Sequence, residues 1–95
     1  MCTMIVTQVG IAGCGKGTNG WFELREANVS YDHPFNAPFE HAVNIDFVNE
    51  ALGPSARVAV ELSVEGARTL VAAINAVLER AESGGYLEQP VPAVR

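Results

Sequence analysis

The chain has 95 residues, 48% hydrophobic and 18% charged, and six basic residues against eleven acidic ones leave a formal charge of -5. This is one small folded domain, too apolar for a disordered chain and too acidic for a nucleic-acid or anionic-lipid binder. No apolar run approaches the roughly 18 residues of a membrane span, and Met1-Cys2-Thr3-Met4 lacks the basic start of a secretion signal. Cys2 and Cys14 are the only cysteines and form no CxxC pair, which excludes a zinc ribbon or a thioredoxin-type motif. The sequence therefore predicts a cytoplasmic protein with both thiols free, although one Cys2–Cys14 bridge stays open.

In chain order, Met4 to Ile11 is apolar at both parities, the pattern of a central strand covered on two sides. Gly13 to Gly20 follows as a glycine-rich loop. Trp21 to Asp32 then reads as a second strand. Phe22 and Leu24 hold one parity and Ala27, Val29 and Tyr31 the other, which predicts a one-residue bulge near Glu26. A second loop, Pro34-Phe35-Asn36-Ala37-Pro38, leads to a third strand in which Val43, Ile45 and Phe47 alternate with Asn44, Asp46 and Val48.

Ala51-Leu52-Gly53-Pro54 has turn composition, and Ala56, Val58, Val60 and Leu62 form a fourth alternating strand. Pairing these two strands so that partner numbers sum to about 105 sets Phe47 on Val58, Ile45 on Val60 and Val43 on Leu62. All three pairs then share one face, and Asp46 and Arg57 become diagonal neighbours on the other.

From Val64 to about Glu82, Ala67, Leu70, Val71, Ile74, Val77, Leu78 and Ala81 recur at helical spacing. Ser63 is the expected N-cap, Glu65 complements the dipole, and Gly84-Gly85 is the stop. The architecture that follows is α+β, β-β-β-β-α: a four-stranded antiparallel sheet with one C-terminal helix on one face. Residues 1–85 form the domain and 86–95 an extended tail. A domain this small buries only ~60–65% of its unfolded surface, so the mixed outer sheet face predicts a homo-oligomer, a dimer or larger.

Three stretches bear on chemistry. Gly10 to Gly17 nearly spells a phosphate loop, but Gly17 stands where magnesium needs a hydroxyl, and no helix opens after it. The alternatives are a hairpin connection or a loop that brings Cys14 and Lys16, with Trp21, to the rim of a substrate pocket.

The second stretch holds both histidines. Tyr31-Asp32-His33-Pro34 and Glu40-His41 lie across one loop, and imidazole is the side chain that titrates nearest neutrality. Asp32 or Glu40 can orient one ring, and His33 with His41 would supply two ligands to a single divalent metal, should one bind. No motif requires a cofactor. The expected chemistry is a small enzyme of small-molecule metabolism, intermediary or secondary, of lyase, isomerase or hydrolase type. His33, His41, Asp32, Glu40 and Tyr31 are its catalytic candidates. The alternative is a non-catalytic homo-oligomeric binding or accessory module.

The third stretch is the N-terminus. Loss of Met1 would expose Cys2 as an N-terminal nucleophile. Met1-Cys2-Thr3 resembles the start of choloylglycine-type amidohydrolases, which implies an amide hydrolase, although those enzymes use a far larger layered fold. Across most of its length the chain resembles an uncharacterised family of small actinobacterial proteins. The likeness rests on Met1 to Val6, Gly13 to Gly17, Tyr31 to Pro34, Glu40-His41-Ala42 and the final helix, and it implies no mechanism.

Overall fold

The computed structural model describes residues 5–87. Strands β1 (Ile5–Gly17), β2 (Gly20–Asp32), β3 (Ala42–Val48) and β4 (Arg57–Leu62) precede helix α1 (Val64–Ser83), with a short 3-10 turn at Glu50–Leu52. Each strand pairs antiparallel with the next, in spatial order β1-β2-β3-β4. This is the expected β-β-β-β-α architecture.

The alternation of β3 and β4 sets their register as read from parity. Phe47 faces Val58, Ile45 faces Val60 and Val43 faces Leu62. Ala27, Val29 and Tyr31 of β2 oppose Phe47, Ile45 and Val43, and Val9, Thr7 and Ile5 of β1 continue the rows. One face of the sheet is thus apolar from edge to edge. The other carries Ser30, Asn44 and Glu61, together with a 2.7 Å ion pair between Asp46 and Arg57.

Three expectations for the first half are overturned. β1 is an edge strand, not a central one, since β2 is its only neighbour, and Ile5, Val6 and Val9 are exposed. Its apolar residues at both parities are therefore not matched by cover on two sides within one chain. Residues Gly13 to Gly17 are not a loop but the end of β1. The connection is the two-residue turn Thr18-Asn19, closed by the Gly17–Gly20 pair with Gly20 at φ 110°. The bulge lies in β1, where Ile11 and Ala12 together oppose Arg25, and not in β2. β2 changes its buried parity without an extra residue because it leaves β3 after Glu26, which frees Leu24 to turn toward β4. A Cβ on Gly15 would stand 3.1 Å from Leu24 and 3.4 Å from Val58, so the edge strands approach each other there. Glycine is what permits that approach.

Asn49 fastens this end of the sheet. Only 3% exposed, its side chain donates to the Glu23 carbonyl at 2.9 Å and accepts from the Ala51 N–H. The helix is capped as expected. Ser63 Oγ accepts from the Gly66 N–H at 2.9 Å, and Gly85, at φ 76°, follows the last turn. A Cβ on residue 66 would lie 3.0 Å from that oxygen, which explains an early helical glycine that costs ~1 kcal/mol of propensity.

The packing of α1 departs most from the amphipathic plan. The helix makes its main approach to β3 and β4, none of its residues is buried, and Leu70, Val71, Ile74, Val77 and Leu78 are all exposed. The Cα radius of gyration is 15.3 Å, against roughly 12 Å for a compact domain of this length. In the expected tail, Tyr86 and Leu87 are exposed, and 88–95 lie outside the described residues.

Candidate functional site

The β2–β3 connection is organised by one carboxylate from β4. Glu61 projects from the polar sheet face and accepts the N–H groups of Phe35 at 2.7 Å, Asn36 at 2.9 Å and Ala37 at 2.8 Å. Pro34 and Pro38 bracket these three residues and have no N–H, so every backbone donor from 34 to 38 goes to Glu61. The Ala37 bond most of all, and then the Phe35 bond, hold the Glu61 carboxyl below its ordinary value of 4.5, while burial pushes the other way by more than the Asn36 bond adds. The pinned loop displays Phe35 to solvent, 92% exposed.

Behind the loop, the histidines meet. The His33 and His41 rings stack with centroids 4.6 Å apart, and Tyr31 also stacks on His41, at 5.5 Å. His33 Nδ1 lies 2.9 Å from the Glu40 carbonyl oxygen. A carbonyl only accepts, so Nδ1 carries the hydrogen, and the lone pair of neutral His33 is on Nε2. Asp32 Oδ1 accepts from the His33 N–H at 2.7 Å, and the Asp32 carbonyl accepts from Asn44 Nδ2 at 3.3 Å. Tyr31, Asp32, His33, Glu40 and His41 therefore do converge. Glu40 contributes through its backbone, and Asp32 orients main chain and not an imidazole in these bonds.

The groove beside them is shallow. About 180 Å³ in volume, it is lined on the polar sheet face by Ser30, Asp32, Asn44, Asp46, Arg57 and Glu61 with His33 at one end. Small-molecule sites more often enclose ~300–1,000 Å³. Among the described residues no group of three or more His, Cys, Asp or Glu is placed to hold a metal ion.

A family model described as a family of unknown function, DUF6295, matches residues 1–87. The chain belongs to that family. No curated protein and no solved structure matches it.

In this DUF6295 chain the second set of sequence candidates stands apart from the first. Lys16 pairs with Trp21 at one end of the β1–β2 hairpin, and Tyr31 pairs with Ile5 at the other. Ten residues of strand separate Trp21 from Tyr31, roughly 33 Å at ~3.3 Å per residue. Cys14, Lys16 and Trp21 are thus not on the rim of the histidine groove, and the expected meeting of the two segments does not occur. Cys14 is a free, exposed thiol. Cys2 and the N-terminal nucleophile reading lie outside the described residues. No helix among the described residues is long and apolar enough to cross a membrane.

Glu61 is the organising residue that the sequence reading missed. Its parity placed it on the polar face, and the proline bracket was the available signal that three adjacent N–H groups would need an acceptor. Because folding lowers the Glu61 pKa, its contribution is fully present above 4.5 and is lost as pH falls through the depressed value. Amide spectra of Phe35, Asn36 and Ala37 are expected to be constant from neutrality to about pH 5 and to shift together below 4.5. Glu61→Gln removes that transition and loosens the loop at neutral pH. Amide positions that stay fixed down to pH 3 in the parent protein contradict this role.

Proposed function

We propose that this chain is a subunit of a homo-oligomer, a non-catalytic binding or assembly module whose apolar surface is completed by a second copy. The exposed stripe of α1 carries the reading. Five aliphatic side chains left about half-exposed forgo roughly half of the 1.5–3 kcal/mol that burial of each contributes, on the order of 6 kcal/mol together. A whole domain is stable by only ~5–15 kcal/mol. The chain's surface, 7343 Å², exceeds by roughly 2,000 Å² that of a folded monomer of 10.1 kDa. Covering half of that surplus on each of two copies makes an interface of about 2,000 Å², the size of a stable dimer.

Sedimentation equilibrium at micromolar concentration tests this. The parent protein is expected to run as a dimer or larger, and Val71→Glu or Ile74→Asp to shift it to monomer or to unfolded chain. A well-folded parent monomer at high micromolar concentration overturns the proposal.

A second reading, a small cytoplasmic enzyme using histidine acid–base chemistry, is favoured by the tautomer of His33. With Nδ1–H held by the Glu40 carbonyl, Nε2 is the atom that would accept a substrate proton, and stacking on His41 helps hold the ring. Nitrogen NMR of the imidazoles at pH 8 is expected to show His33 protonated on Nδ1. The opposite tautomer removes the support for this reading.

A further inference from the structure

We propose that the outer edge of β1, over Ile5–Gly10, pairs antiparallel with the same segment of a second copy, joining two four-stranded sheets into one. The inference rests on the homo-oligomeric reading and names which edge makes the contact. A sheet edge offers a row of unpaired N–H and C=O groups, and proteins ordinarily guard such edges with charge, proline, brevity or cover.

The two edges of this sheet differ in that respect. β4 is guarded: six residues long, it carries Arg57 and Glu61, follows Pro54 and has α1 and the far end of β1 nearby. β1 is unguarded: it spans 13 residues, has no proline, and its one charge, Lys16, comes at the far end. Ile5 is 63% and Val6 57% exposed. The bulge at Ile11-Ala12 turns the later half of β1 toward β4, which leaves Ile5–Gly10 as the straight, free portion.

Charge points to a second copy as the occupant. Two molecules of charge -5 repel unless they meet through surfaces without charge. The longest stretch of the chain without Asp, Glu, Lys or Arg is residues 1–15, and the next is Thr69–Leu78, the exposed stripe of α1. Within these stretches Ile5–Gly10 and Thr69–Leu78 are exposed throughout. A two-fold axis puts the same segment on both sides of its contact and runs the strands antiparallel. Self-pairing of Ile5–Gly10 then opposes no like charges.

Hydrogen exchange on the parent protein, run beside sedimentation, tests the pairing. Alternate β1 amides point at β2, and those between them point outward. If two copies pair here, all amides from Val6 to Gly10 are protected, with the outward ones exchanging about a hundredfold slower than unpaired amides. Val6→Pro and Thr7→Pro form a second arm. One of these adjacent positions has the outward N–H, and proline there costs no bond to β2. That variant is expected to stay folded and to lose the pairing. An oligomer in which alternate amides of Val6–Gly10 exchange freely overturns the edge proposal and leaves the homo-oligomeric reading standing. A folded monomer overturns both.

Discussion

The structure depends on one mismatch: the chain makes more apolar surface than its own fold covers. The sheet has an apolar face running from Ile5 across Val29 and Ile45 to Val60. The helix has a stripe of matching character. Laid together they would make a two-layer domain, yet α1 makes its main approach to β3 and β4, and Leu70, Val71, Ile74, Val77 and Leu78 stay exposed. Aliphatic burial is the main favourable contribution to folding, and this uncovered surface is what supports the proposed second copy. The elongated dimensions, 45 × 31 × 21 Å, follow from the same lack of closure.

Where packing is sparse, polar fastenings hold the local geometry. Asn49 ties β2 to the turn after β3, and Glu61 ties the β2–β3 loop to β4. Both bond backbone groups 24 to 26 positions away in sequence, and both fix a connection between strands. The histidine stack sits within the connection that Glu61 holds. The alignment of His33 and His41 depends on an anchored loop more than on a deep pocket.

What was legible in the sequence is what near-neighbour physics determines. Parity alone set the β3–β4 register, because a slip of one residue would send Val43, Ile45 and Phe47 to the polar face. Helical spacing, Ser63 and Gly84-Gly85 set the limits of α1. The meeting of His33 and His41 followed from their flanking one short connection between paired strands. The misreadings concern longer range. Apolar residues at both parities in β1 suit a covered central strand and an intermolecular edge equally, and one chain cannot distinguish them. Gly13 to Gly17 has loop composition, but within it Gly15 serves a close approach to Leu24 and Val58. The Glu61 anchor joins residues 24 to 26 positions apart through backbone N–H groups, which leave no side-chain signature.

The account is tested most directly by thermal unfolding across a hundredfold range of protein concentration. When folding and association are one equilibrium, mass action raises the midpoint as concentration rises. A steady climb of several degrees is the predicted result. A sharp transition at one unchanging temperature would mean that a single copy of the chain is stable with its apolar stripe in water, which contradicts the account.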